Sequence, residues 1–210
     1  MRRRFFDAEN WLWTPLGVLG DLVMLSLLWG VCSIPVLTAG SAAAAAYDTA
    51  VHVLRRQEDG LLSRFFSTFK RELKSGVLST LLWIGLLGAA FLLFLGLRTA
   101  LPEGEGRTLV LLLCLGLAGF LPLCVLVWVF PTLSRFTFDT RGLNVTALRL
   151  ALGHILRSAA LALLLGGCVW LVLRWVLLVI ALPGLAFYLS SFLIEPVFVL
   201  YEKQENPPEE

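Results

Sequence analysis

The sequence predicts an all-α membrane protein, a polytopic bundle with six embedded helices. The 210 residues are 58% hydrophobic and only 15% charged, whereas a soluble domain has about 25% charged residues. Residues 78–97 and 108–133 contain no charged side chain, and about 20 apolar helical residues span the hydrocarbon core of a bilayer. We therefore expect one transmembrane domain over residues 1–202 and a disordered polar tail over residues 203–210.

The first two predicted helices are joined by a tight turn. The first runs over residues 15–35, and the turn contains Pro35, Thr38 and Gly40, which are typical turn and helix-breaking residues. The second runs over residues 40–56 and is rich in alanine. Because small side chains allow close approach of helix backbones in membranes, we expect this second helix inside the bundle.

Residues 57–75 predict a basic amphipathic helix at the membrane surface. Its apolar and basic side chains recur at helical spacing, with the two kinds on different faces. The residues that mark these faces are Phe65, Phe66, Phe69, Lys70 and Lys74. The same pattern fits a linker helix packed on the bundle, and the two interpretations are compatible.

Four further embedded helices are predicted in the rest of the chain. They cover residues 76–97, 108–133, 154–180 and 184–201. The basic connection between the second and third of these, over residues 134–157, again carries one apolar face. An alternative with five spans keeps the alanine-rich helix at the membrane surface.

The basic segments predict the orientation. The amino terminus, residues 55–75 and residues 134–157 are rich in arginine and lysine, and such segments stay on the cytoplasmic side of a membrane. We therefore expect a multi-pass membrane protein with both termini in the cytoplasm. The five-span alternative places the amino terminus outside, against its three arginines.

Three acidic residues fall within the predicted embedded helices: Asp21, Asp48 and Glu195. Charges at bilayer depth usually face the interior and find partners. From the depths of the first two helices, we predict that Asp21 pairs with His52 or Arg55. A functional interpretation of these acids is proton or cation coupling, and a structural one is that they fix helix packing.

Sequence patterns of soluble enzymes are absent. His52 and His154 lie in separate segments without metal-ligand spacing, and the chain has no phosphate-binding loop of the G-x-x-x-x-G-K-[ST] type. The four cysteines lie in apolar runs without C-x-x-C spacing. We expect no catalytic residues, no metal and no cofactor. The basic loops match anionic lipid head groups better than nucleic acid.

The chain resembles the YesL family of bacterial membrane proteins over nearly its whole length, and the specific part of the resemblance lies within residues 26–75. The matching pieces are residues 26–29, 34–40, 45–47, 55–56 and 65–75, although Ser26 stands where the family often has asparagine. The resemblance implies a protein of the bacterial inner membrane, and an accessory or assembly subunit, without enzymatic activity, that contacts the permease subunits of an oligosaccharide ATP-binding-cassette importer. The alternative is a self-contained transporter or channel for small solutes, with a homo-oligomer left open.

Overall fold

The computed structural model describes residues 10–100, 104–116, 121–135 and 140–205. Within these ranges the chain is helical apart from short turns, and no strand occurs. The helices are α1 (Asn10–Cys32), α2 (Ala39–Thr49), α3 (Leu61–Arg71), α4 (Leu73–Ala100), α5 (Glu105–Leu115), α6 (Leu121–Arg135), α7 (Thr140–Gly153), α8 (Ile155–Arg174) and α9 (Leu182–Glu205). A π-helical turn (Ala50–Arg55) extends α2, and 3-10 turns cover Val36–Thr38 and Val176–Ile180.

The turn between α1 and α2 forms where the sequence predicts it. α1 ends at Cys32, and the Thr38 hydroxyl donates to the carbonyl oxygens of Cys32 at 2.6 Å and Pro35 at 2.8 Å. The first of these contacts satisfies a carbonyl group that the end of α1 leaves without an intrahelical partner. α1 begins at Asn10, ahead of the predicted start at residue 15.

Several predicted boundaries differ from those observed. The single helix predicted over residues 108–133 is described as two helices, α5 and α6, and residues 117–120 lie outside the described residues. α9 continues to Glu205, past the predicted boundary at 202, because its last residues (Glu, Lys and Gln) are good helix formers. Residues 206–210 of the predicted tail lie outside the described residues.

Helices α2 and α3 run antiparallel, and α4 continues the direction of α3. Ser41 near the start of α2 lies 3.3 Å from the carbonyl oxygen of Leu73 at the start of α4, whereas Asp48, further along α2, contacts Arg64 on α3. The backbone N–H of Glu72 donates to the carbonyl oxygen of Thr68 at 2.9 Å, and the backbone N–H of Gly76 donates to the carbonyl oxygen of Glu72 at 2.8 Å. Helical hydrogen bonding therefore passes through the junction of α3 and α4.

Two glycines allow the close contact between α2 and α4. A Cβ atom added at Gly40 would clash with the Thr80 hydroxyl and the Phe130 ring and would lie 2.9 Å from the Gly76 carbonyl oxygen. One added at Gly76 would lie 2.8 Å from the backbone nitrogen of Ser41. The small residues of this turn thus bring the helix backbones together, as predicted for the alanine-rich helix.

Two apolar clusters form the interior. The larger joins α2, α4 and α6 to α9 around fully buried aromatic and aliphatic side chains, among them Tyr47, Trp128, Leu133, Leu161 and Ile194. The smaller packs α1 against the other face of α2 and includes Leu22, Leu25, Ala46, Leu54 and Phe65. Phe65, with the half-buried Phe69 beside it, brings α3 into this cluster.

Three helices are long and apolar enough to cross a membrane: α4, α8 and residues 182–200 of α9. Only 17% of the most apolar stretch of α4 and 11% of that of α8 are buried inside the protein. Such exposed apolar helices need lipid or an apolar partner around them. Shorter apolar helices cover Gly17–Cys32 and Pro122–Arg135, so the described chain is an all-α protein with membrane-spanning character.

Candidate functional site

A polar cavity of about 290 Å³ lies between α2, α3 and α6. Charged side chains from all three elements and from their ends line it. The lining residues are Asp48, His52, Arg64, Arg71, Glu72, Leu133, Ser134 and Arg135. We call these residues, together with Arg55, Arg56, Glu58 and Glu195, the charged end of the bundle.

Asp48 is the centre of the first ion cluster. Its carboxylate is 3% exposed and accepts two hydrogen bonds from the Arg64 guanidinium, at 2.6 Å from Nε and 3.2 Å from Nη2. The Thr68 hydroxyl donates a third at 2.8 Å, and His52 Nε2 lies 3.6 Å away. A buried carboxylate is stable when it is paired and its lone pairs are hydrogen-bonded, and Asp48 meets both conditions.

The cluster extends to the loop after α2. His52 Nδ1 is 3.1 Å from each carboxylate oxygen of Glu58, and this hydrogen bond holds the pKa of Glu58 below its ordinary value of 4.5. In the opposite direction, the hydrogen bond that Arg64 donates to Asp48 raises the pKa of the Arg64 guanidinium on α3. The imidazole therefore bridges a buried carboxylate and a surface carboxylate.

Glu195 on α9 is the centre of the second ion cluster. Its buried carboxylate accepts hydrogen bonds from Nε and Nη2 of Arg135 at the end of α6, the first at 3.1 Å. Arg56 Nη2 lies 3.9 Å from the other carboxylate oxygen. Arg55 also reaches α9, where it donates to the Ser191 carbonyl oxygen at 3.0 Å. These contacts tie α9 to the end of α2.

Arg71 closes the side of the cavity between α3 and α6. Its Nε donates to Glu72 at 2.6 Å, and its Nη2 lies 3.3 Å from the Ser134 carbonyl oxygen. The arginines of the charged end are thus held in fixed positions by carboxylates and backbone carbonyls, although several of them stay partly open to solvent.

The predicted pairing of Asp21 is wrong. Asp21 is half-buried on α1, and neither His52 nor Arg55 makes an ion pair with it, because they bind Glu58 and Ser191 instead. The prediction compared depths along two helices and ignored which face each side chain occupies. The last turn of the second helix is π-helical, with a wider turn than an α-helix, and the Arg55 side chain lies toward α9.

The remaining predicted site residues occupy three environments. Pro35, Thr38 and Gly40 form the α1–α2 turn and its contact with α4. On α3, Phe65 is buried, Phe69 is half-buried, and Phe66 is exposed. The two lysines, Lys70 and Lys74, are exposed, as expected for the solvent or head-group side of a surface helix.

Sequence reasoning missed the two partners that matter most, Arg64 and Arg135. A usable signal existed for Arg64, which lies beside the buried Phe65 and one turn before Thr68, so that it shares the inward side of α3. Arg135 lies two positions after the predicted end of an apolar helix at residue 133, and its partner lies 60 positions further along the chain. Nothing local in the sequence indicates that pairing.

The described residues contain no group of three His, Cys, Asp or Glu side chains placed to hold a metal ion. The charged end can instead provide fixed, partly exposed guanidinium groups, two paired carboxylates and one imidazole. Such a set of groups suits electrostatic contact with a charged surface or with a small polar solute.

Comparison with known families finds one match. Residues 22–97 match the family described as "Protein of unknown function, DUF624", so the chain contains a DUF624 domain from within α1 to near the end of α4. No curated protein and no solved structure matches the chain. The matched span includes the α1–α2 turn and the Asp48–Arg64 pair.

Proposed function

We propose that this chain is an accessory or assembly subunit of a bacterial oligosaccharide importer. The protein would be embedded in the inner membrane through six helices, with both termini in the cytoplasm, and would contact the permease subunits of an ATP-binding-cassette system. It would act by binding and positioning, without catalysis.

The observation that carries the proposal is the separation of charge from apolar surface. The ion clusters gather around α3 and the adjoining ends of α2 and α6, whereas residues 76–97 of α4 carry no charge and expose apolar side chains. A rigid charged end with an apolar body suits a subunit that docks on a larger membrane complex. Fixed charges favour specific partners and steer association.

The link to carbohydrate uptake is supported by the YesL resemblance. The residues that carry it, including Pro35, Gly40 and Phe65, lie within the DUF624 domain. In the structure they form a turn, a close helix contact and a packed face. The resemblance therefore covers the part of the chain that positions the charged end.

Affinity purification from the native host in mild detergent tests this proposal. A tagged chain should recover importer permease subunits, and the variant with Lys70→Glu and Lys74→Glu should lose them, because both lysines are exposed and flank Arg71 and Glu72 of the charged end. Arg174→Glu, exposed at the other end of α8, is the matched control and should retain them. Recovery of the tagged chain alone as a homo-oligomer would contradict the proposal.

A transporter or channel is the second candidate, and the polar cavity favours it. Asp48, His52 and Glu72 face a space of about 290 Å³, which is large enough for several water molecules. Purified protein in liposomes with an enclosed pH-sensitive dye would then conduct protons, and Asp48→Asn would abolish the flux. Liposomes as tight to protons as empty ones would exclude proton conduction.

A further inference from the structure

We propose that the polar cavity of the charged end binds a phosphate group that carries or adjoins a hydroxyl group. The guanidinium groups of Arg64, Arg71 and Arg135 donate to the phosphate oxygens, and the hydroxyl donates to the carboxylate of Glu72. Inorganic phosphate, phosphate monoesters and the head groups of phospholipids such as phosphatidylglycerol share this chemistry. Binding of such a group goes beyond the importer role and does not depend on it.

Three arginines from two helices line the cavity. Arg64 and Arg71 are seven positions apart on α3, so they lie on the same face of that helix, two turns apart. Arg135 is the last residue of α6, and the carbonyl oxygen of Ser134 beside it lies 3.3 Å from Nη2 of Arg71. This contact joins the ends of α3 and α6, so that guanidinium groups from both helices border one space.

Each of these guanidinium groups keeps donors for a ligand. Arg64 and Arg135 each use Nε and Nη2 on a carboxylate, and Arg71 uses Nε on Glu72 and Nη2 on Ser134. Within the described residues, Nη1 of all three arginines makes no hydrogen bond. A guanidinium has five N–H donors in a planar fork that matches the geometry of phosphate oxygens, so each group can hold its protein partner and a phosphate together.

The charge of the cavity favours an anion over a cation. Its lining combines three arginines with two carboxylates, Asp48 and Glu72, so that one positive charge is in excess while His52 is neutral. The Asp48 carboxylate already accepts three hydrogen bonds, which leaves it little capacity for a cationic ligand. Lys70 and Lys74 are exposed close by in the chain and add positive potential that attracts anions.

Glu72 determines which anions the cavity accepts. Its carboxylate is buried, and Oε1 accepts the hydrogen bond from Arg71 at 2.6 Å, whereas Oε2 has no hydrogen-bond partner in the part of the chain that the structure describes. A carboxylate oxygen accepts from a hydroxyl and repels an oxyanion that has no proton to donate. Sulfate at neutral pH has no hydroxyl, whereas inorganic phosphate and a phosphate ester of glycerol each supply one. The cavity should therefore prefer these phosphates to sulfate.

The size, accessibility and backbone of the cavity suit a ligand site. Its volume of about 290 Å³ is close to the lower limit of about 300 Å³ for small-molecule pockets. The side chains of Arg64, Arg71 and Arg135 are 38%, 50% and 23% exposed, so a phosphate can reach them. The π-helical turn over Ala50–Arg55 carries His52 to the cavity wall, and such turns are rare and frequently found at functional sites.

Calorimetric titration of the delipidated full chain in detergent micelles tests the proposal. Sodium phosphate should bind the wild type, and sodium sulfate should bind about tenfold more weakly. Glu72→Gln removes the charge that repels sulfate, so the two anions should then bind with similar affinity. Adding Arg71→Met to Glu72→Gln leaves no unpaired buried charge, and this double variant should bind phosphate about tenfold more weakly than Glu72→Gln alone. Lys70→Met, which removes an exposed cation next to Arg71, is the matched control and should bind phosphate like the wild type.

Lipids added to the same micelles distinguish the two sources of the phosphate group. If phosphatidylglycerol abolishes phosphate binding and phosphatidylcholine, whose head group has no hydroxyl, does not, the ligand is a lipid head group. If neither lipid competes, the ligand is a soluble phosphate.

Three results would overturn the proposal. The first is a wild type that binds neither phosphate nor, by native mass spectrometry, phosphatidylglycerol. The second is a wild type that binds sulfate as tightly as phosphate, and the third is a double variant, shown to be folded by thermal unfolding, that keeps the phosphate affinity of Glu72→Gln. Each of these would leave the importer role intact, because recovery of permease subunits tests that role separately.

Discussion

The ion pair between Asp48 and Arg64 should be a main contributor to the stability of the α2–α3 contact. Arg64→Met removes two charge-assisted hydrogen bonds and leaves a carboxylate that is 3% exposed with Thr68 and His52 as its remaining partners. Loss of one partner of a buried pair costs about 3–5 kcal/mol. Because Arg64 is itself 38% exposed, we expect about 3 kcal/mol, the lower end of that range.

The assay is unfolding in mixed micelles with a denaturing detergent, followed by tryptophan fluorescence. Asp48→Asn removes the charge that Arg64 neutralises, so the double variant should be more stable than the sum of the single losses predicts, by about 2 kcal/mol. Lys70→Met is the control, since it removes an exposed cation from the same helix. Equal, small losses in Arg64→Met and Lys70→Met would refute the role of the pair.

Three other substitutions test packing, pH dependence and a buried hydrogen bond. Gly40→Ala should destabilise the protein by about 2 kcal/mol through overpacking against α4, whereas Gly85→Ala, with open space at its Cβ, should be neutral or slightly stabilising; equal thermal midpoints would contradict this. The hydrogen bond to His52 lowers the pKa of Glu58 below 4.5, so its contribution to stability is present above that pH and is lost as pH falls through the lower folded-state pKa. Glu58→Gln should therefore lower stability near neutral pH and match the wild type in acid, and a difference that persists in acid would count against it. Trp128→Phe removes a buried 2.8 Å hydrogen bond to a serine of α8 and part of a fully buried ring, and chemical unfolding should show a loss of about 2 kcal/mol; no loss would contradict that packing.

Composition and charge-free length were sufficient to predict the class of the fold. Residues 76–97 form an uncharged segment that is too apolar to be surrounded by water. In the structure this segment belongs to α4, whose apolar surface is largely exposed. Pro35 and Gly40 were equally informative, because a proline and a glycine restrict the local backbone in ways that depend little on the rest of the chain. The turn between α1 and α2 follows from these two residues.

The relative placement of the helices could not be predicted in the same way. A hydropathy pattern treats each apolar run as an independent crossing and contains no register between runs. The contact of Gly40 with Gly76 sets that register, and it depends on two small residues that are separated by the whole of α3. Only the folded backbone shows that the turn between α1 and α2 lies beside the start of α4.

The candidate site could be predicted only in part from the sequence, for a related reason. Asp48 and Glu195 could be identified as acids that need partners, since an unpaired charge in an apolar segment is costly. Their partners, Arg64 and Arg135, come from helices whose inward faces are set by tertiary packing. The prediction for Asp21 failed because depth along a helix does not specify its face.

Photolabelling by lipid tests the central claim, that the apolar helices are surrounded by acyl chains while the charged end stays outside the hydrocarbon. A phospholipid with a photoactivatable acyl chain is incorporated into native membranes, and the modified residues are identified by mass spectrometry. The account predicts labelling of exposed α4 residues such as Phe91 and Leu92 and none at Arg64 or Lys70. Labelling concentrated on α3 with α4 unmodified, or recovery of the protein in the soluble fraction, would contradict it.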